Sequence, residues 1–109
     1  MTIPTAEQTP HVVTICGSTR FRDQIAAANC ELTLAGNIVL APGVFAHAGD
    51  AMTEADKQRL DALHLTKIDL ACWVLIVNPG GYIGESTRRE IDHAHHTGKP
   101  VHYLHEAAA

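Results

Sequence analysis

The sequence predicts one α/β domain: a three-layer α/β/α sandwich built on a four-stranded parallel sheet of strand order 2-1-3-4. Three observations lead there. Short apolar runs at 11–16 and 73–77 carry no polar alternation, as expected of strands covered by helices on both faces. Between them lie segments whose apolar residues recur at helical spacing. Glycine and proline mark the changes from one pattern to the other.

Taken in order, residues 1–10, with Pro4 and Pro10 among polar neighbours, read as a flexible N-terminal arm, and 11–106 as the domain. The β-branched run 11–16 ends at Gly17-Ser18 and reads as a buried first strand. Phe21, Ile25, Ala28 and Leu32 outline a helix stopped by Gly36-Asn37. Residues 38–41 form a short second strand ended by Pro42-Gly43, and 44–52 a loop. Thr53-Glu54-Ala55-Asp56 resembles a helix N-cap, and the helix runs to about Ala71 with Leu60, His64, Lys67, Ile68 and Ala71 along one face. Residues 73–77 are the third strand. A glycine-rich turn follows, then a helix over 87–97 stopped by Gly98, a fourth strand at 101–104 and a frayed tail at 107–109.

Right-handed crossovers with a reversal after the second strand give the flavodoxin-like, Rossmann-like order 2-1-3-4. Strands one and three then lie side by side. Their carboxyl ends carry Gly17-Ser18-Thr19-Arg20 and the turn at 80–90, so two glycine-containing loops and two helix N-termini meet at the topological switch point, where α/β sheets bind ligands.

Composition narrows the function. The chain has 109 residues, 46% of them hydrophobic, which suits a single globular core. Its net charge is −4 and its eight Lys and Arg are scattered, so no basic stripe for a nucleic-acid backbone is expected. No signal peptide and no membrane span are read, and Cys16, Cys30 and Cys72, lying in or beside apolar segments, are expected to be reduced core thiols of a soluble cytoplasmic protein. Neither glycine cluster fits a Walker loop or a dinucleotide fingerprint. The histidines show no His-x-x-x-His pair and no Cys/His set at metal spacing, so neither a metal nor an organic cofactor is expected.

Two accounts fit Glu90. Thr87-x-x-Glu90 matches a capping box, in which the glutamate turns back to the N-cap amide. Alternatively, a carboxylate on the first helical turn, kept ionised by the helix dipole, serves as nucleophile or charge stabiliser. Ser18 or Thr19 either caps its helix or joins Arg20 in a phosphate or ribose cradle. Tyr82 either stacks on a ligand ring or covers the core. His64, Lys67 and Asp69 bracket one turn near the end of the second helix, either as a satisfied histidine with solvated neighbours or as part of the site.

Val12 to Arg20 with Cys16-Gly17-Ser18-Thr19-Arg20, the segment Lys67-Ile68-Asp69-Leu70-Ala71, and Gly81-Tyr82-Ile83-Gly84-Glu85-Ser86-Thr87-Arg88-Arg89-Glu90-Ile91 together resemble the nucleoside 2-deoxyribosyltransferase-like superfamily, including its nucleoside 5′-monophosphate N-glycosidases. The resemblance covers about residues 11–104. It implies cleavage or exchange of the N-glycosidic bond of a nucleoside or nucleoside 5′-monophosphate, with Glu90 as the nucleophile. It implies a helper at Asp69 or His64, and a sugar-phosphate site from Gly17, Ser18, Arg20, Gly81, Tyr82, Gly84, Ser86 and Thr87. It also implies a homodimer or larger assembly. The chain departs from the family in being short, in lacking a fifth strand, and in having Thr14 where relatives often carry a tyrosine. A non-catalytic nucleotide-binding module of the same fold and a TIR-related NAD glycohydrolase are the alternatives.

Overall fold

The computed structural model describes residues 10–45 and 49–105. The expected arm, apart from Pro10, and the expected tail lie outside them. Among the described residues four strands, β1 (Val12–Cys16), β2 (Ile38–Leu40), β3 (Trp73–Ile76) and β4 (Val101–Tyr103), form one sheet of order β2-β1-β3-β4. All pairings are parallel: Val12 faces Ile38, Cys16 faces Ile76 and Leu75 faces His102. The expected topology is the observed one.

Among the described residues three α-helices cover the sheet: α1 (Arg22–Leu34), α2 (Glu54–Leu70) and α3 (Glu85–His96). Successive strand residues point to opposite faces, which assigns each helix its layer. Val13 and Ile15 of β1, with Trp73, Leu75 and Val77, pack against Ile25, Ala28 and Leu32 of α1. On the opposite face Cys16, Val74 and Ile76 meet Ile68 and Ala71 at the end of α2 and Ile91 and Ala94 of α3. Thr14, fully buried on that second face, donates its hydroxyl to the Lys67 carbonyl at 2.7 Å, so a polar residue in mid-sheet is satisfied and fixes the height of α2.

Local chemistry sets the helix ends. Thr53 caps α2 through a reciprocal capping box: its hydroxyl accepts from the Asp56 amide and the Asp56 carboxylate accepts from the Thr53 amide, each at 3.1 Å. The Thr53 backbone amide holds the Asp56 carboxyl below its ordinary range. Gly36 and Gly98, at φ 94° and 76°, take the left-handed conformation that stops α1 and α3.

Two expectations are corrected. α3 begins at Glu85, two residues earlier than the Thr87 start read from sequence, with Gly84 at its N-cap and Arg88 N bonded to the Gly84 carbonyl at 2.9 Å. Of the three free cysteines, Cys16 is buried, whereas Cys30 and Cys72 are exposed and are not core thiols. Cys30 lies on the outer side of α1, and Cys72 in the turn between α2 and β3, where adjacency to apolar residues in sequence does not mean burial. No described helix is long and apolar enough to cross a membrane.

Candidate functional site

The carboxyl ends of β1 and β3 meet at the switch point, and the close approach there depends on Gly17. A Cβ at this position would lie 2.8 Å from the Val77 carbonyl oxygen, a backbone atom with little room to yield. Above this junction opens a cavity of about 390 Å³, within the size range of small-ligand sites. One wall is Gly17, Ser18, Thr19 and Arg20, and the opposite wall is Tyr82, Gly84, Glu85, Ser86 and Thr87. Pro42, Gly43, Val44 and Met52 approach from the β2 side. Lys57, Leu60, Asp61, Leu63, His64 and Lys67 of α2 line the cavity with Glu90 of α3.

Most of the sequence-read site is therefore brought together. Ser18 caps a 3-10 turn, Thr19–Phe21, its hydroxyl accepting weakly from the Arg20 amide at 3.4 Å. The Arg20 guanidinium lies over the Tyr82 ring, 4.4 Å from its centroid, and Phe21 meets the same ring edge-on at 5.7 Å. This stack joins the two walls of the cavity. Tyr82 remains exposed enough to meet a ligand. Ser86 accepts from Arg89 at 3.3 Å, and Arg89 also pairs with Glu85 one turn away on the solvated side. Gly81, at φ 80°, shapes the tight turn Pro79–Gly81 but does not line the cavity.

Asp69 is not brought to the cavity. It sits on the far face of α2, where its carboxylate contacts His93 Nε2 at 2.7 Å and its backbone carbonyl accepts from Lys99 at 3.0 Å. Of the two helper positions read from sequence, His64 is the one beside Glu90, with Nε2 3.7 Å from Oε1. The His64 and Glu90 side chains are only 8% and 14% exposed.

The early start of α3 changes the account of Glu90. With Gly84 as N-cap, Thr87 is the third helical residue and Glu90 the sixth, so no capping box joins them and the carboxyl lies beyond the first turn. The expected dipole-held anion is not found. Burial pushes the Glu90 carboxyl up to about 7 and Asp61 adds to the rise, while a hydrogen bond from the Cys16 thiol and the charge of Arg89 partly offset it. His64 is shifted the other way, to about 4, by burial and by Lys67. The Lys67 ammonium is tethered to the Ala41 carbonyl at 2.8 Å.

Beyond other lining residues from the β2 side and α2, sequence reading missed Cys16 and Asp61, the two groups that act on the Glu90 carboxyl together with Arg89. Cys16 Sγ lies 3.4 Å from His64 Nε2, and burial followed by the charge of Glu90 raises its thiol far above the ordinary range. A signal for Asp61 was present: three residues before His64, it shares a helical face with it. Cys16 had none beyond being the last residue of β1, at the strand end where ligands bind. No protein-family model, curated protein or solved structure matches this chain.

Proposed function

We propose that the protein cleaves or transfers the N-glycosidic bond of a nucleoside or nucleoside 5′-monophosphate, with Glu90 as nucleophile. The observation that carries this is the position of its carboxyl: nearly buried, yet opening onto a mononucleotide-sized cavity at the switch point, between a hydroxyl-and-arginine loop and the start of α3. The resemblance of the Gly17-Ser18-Thr19-Arg20 and 81–91 segments to the nucleoside 2-deoxyribosyltransferase-like superfamily supports the same reading.

In this reaction Ser18, Arg20 and Ser86 hold the sugar and its 5′-phosphate, and Tyr82 packs against the base. Glu90 loses its proton near neutral pH, the form needed for attack. The carboxylate forms an ester bond with the anomeric carbon as the bond to the base nitrogen breaks, through an oxocarbenium-like transition state. The base leaves with the bonding electron pair and takes a proton from solvent, relayed by His64, which is neutral at rest and beside the carboxyl. Water, or a second base, then attacks the same carbon and frees Glu90; the water that opens the ester returns a proton to solvent.

The test is incubation with nucleosides, their 5′-monophosphates and NAD, with chromatography of the released base, beside Glu90→Gln. Release of base that Glu90→Gln abolishes supports the assignment; release at an unchanged rate removes Glu90 as nucleophile. One observation favours a second account, a non-catalytic nucleotide-binding module. Burial, with the charge of Asp61, holds the Glu90 carboxyl in its protonated, non-nucleophilic state below neutral pH. That account wins if no base appears from any substrate while a nucleotide still raises the melting temperature. Nicotinamide release from NAD alone would select the TIR-related alternative.

A further inference from the structure

We infer that Cys16, His64 and Glu90 form a three-ligand site for a thiolate-seeking divalent transition ion of the zinc class, with a fourth position open to the cavity. The ligand atoms, Cys16 Sγ, His64 Nε2 and a Glu90 carboxylate oxygen, all lie within 4.8 Å of one another. Cys16 Sγ stands 3.4 Å from His64 Nε2, and His64 Nε2 3.7 Å from Glu90 Oε1. A tetrahedral zinc ion with ordinary bond lengths separates sulfur from nitrogen by about 3.6 Å and nitrogen from carboxylate oxygen by about 3.4 Å. The residues already stand at nearly these separations.

Chemistry and surroundings agree with the spacing. Thiolate, imidazole and carboxylate are the zinc donor types, and three protein ligands plus one open position is the pattern of a zinc site that takes a water or ligand, in contrast to a closed structural one. His64 and Glu90 line the cavity, so the open position faces the space a ligand would enter. The imidazole is also held by hydrogen bonding to the Ile15 backbone, the kind of outer contact that orients a ligating histidine. An ion would displace the buried thiol and carboxyl protons to solvent and compensate the resulting charges, which burial otherwise disfavours. Sequence spacing could not reveal this set: its members come from β1, α2 and α3, with Cys16 and His64 48 positions apart.

An ion here takes the Glu90 carboxylate, so metal binding and glycosyl transfer exclude one another. That consequence rests on the proposed glycosidic reaction, whereas the metal site does not. The probe is Co²⁺ added to the chelator-treated full chain in a Cys30→Ser/Cys72→Ser background, where Cys16 is the one remaining thiol. The expected result is one Co²⁺ per chain with an intense sulfur-to-cobalt charge-transfer band, lost when one equivalent of Zn²⁺ is added. Cobalt binding without that band places the ion on surface histidines and overturns the site. Because Cys16 is fully buried, Glu90→Gln serves as a second variant; the band must weaken and shift, and an unchanged spectrum removes Glu90 from the ligand set. In the same background one equivalent of Zn²⁺ should stop base release and a chelator restore it. Base release that continues with the ion bound overturns the exclusion. Absence of base release from every substrate, with the cobalt band present, defeats the glycosidic reading and leaves the metal site standing.

Discussion

His64 Nε2 and Glu90 Oε1 lie 3.7 Å apart, yet burial works against an ion pair between them by disfavouring the charged form of each. Glu90 becomes an anion near pH 7, by which point His64, which loses its proton near pH 4, is neutral. Below pH 4 the imidazole is charged and the carboxyl is not. The contact looks like a salt bridge by distance, but burial has driven the two titrations past each other. At 3.7 Å it is also too long for a direct hydrogen bond.

The consequence for stability has opposite signs at the two residues. Glu90 is raised from 4.5 to about 7, so its contribution is fully present below pH 4.5 and is lost as the pH climbs through 7. His64 is lowered from 6.5 to about 4, so its contribution is present above pH 6.5 and is lost as the pH falls through 4. Between pH 4.5 and 6.5 the two slopes cancel, and folding takes up no net proton at this pair. Glu90→Gln should unmask the histidine, with unfolding free energy rising by up to roughly 3 kcal/mol between pH 4 and 6.5. His64→Gln should unmask the glutamate and give a comparable fall between pH 4.5 and 7. Urea unfolding of chelator-treated protein across this range checks both, and variants that keep the wild-type pH slope would refute the assignment.

In the proposed glycosidic reaction the same shift would set the pH profile of base release. With an uncharged nucleoside as substrate, kcat/KM should rise about tenfold per pH unit below 7 and level off above it, as the Glu90 carboxyl ionises. Lys67→Met removes the cation that helps depress His64, so the imidazole should titrate at a higher pH. Titration followed by NMR of the histidine ring protons reads this directly; a His64 resonance that does not move would remove Lys67 as a cause.

The sequence leaves Asp69 and His64 both open as the helper, and of the two only His64 lines the cavity beside Glu90. Asp69 and His93 meet at 2.7 Å on the outer surface, with side chains 52% and 27% exposed, where such pairs contribute about 1 kcal/mol or less. Asp69→Asn should leave base release unchanged and lower stability only slightly, whereas His64→Gln should slow release at least tenfold. Equal loss in both variants would show that Asp69 reaches the reaction after all.

The sheet order was legible because the central strands β1 and β3 are covered on both faces and so read as nearly unbroken apolar runs, while the short, part-exposed edge strands β2 and β4 are marked by glycine or proline beside them. The start of α3 was not, because Gly84 caps it through its backbone and leaves no side-chain signal, while Thr87-x-x-Glu90 imitates a capping box by coincidence. Both loops of the site were readable, since each follows a strand at the switch point. Cys16 was assigned to the core from its apolar neighbours, correctly as to burial. What a linear reading lacks is the direction of its side chain. The pleat turns Cys16 away from α1 and toward His64 and Glu90, and that depends on the register of β1 against two helices.

Gly17 gives the last prediction, which tests the junction on which the cavity stands. A methyl group there would lie 2.8 Å from the Val77 carbonyl oxygen and 3.3 Å from the Val77 Cβ, at the point where β1 and β3 end side by side. The Val77 amide is itself bonded to the Cys16 carbonyl at 2.8 Å, so the strand end cannot retreat without losing that bond. Gly17→Ala should therefore cost roughly 1–3 kcal/mol, seen as a lowered urea midpoint at unchanged slope. Spreading the two strand ends would also shift Cys16 relative to His64 and Glu90. The same substitution should thus weaken both the cobalt charge-transfer band and base release in protein that is still folded. Gly43→Ala is the control: its Cβ meets nothing within 4 Å, and it should leave stability within about 0.5 kcal/mol of wild type. If Gly17→Ala proves as mild as Gly43→Ala, the strand ends have room to part, and the cavity does not depend on their close approach.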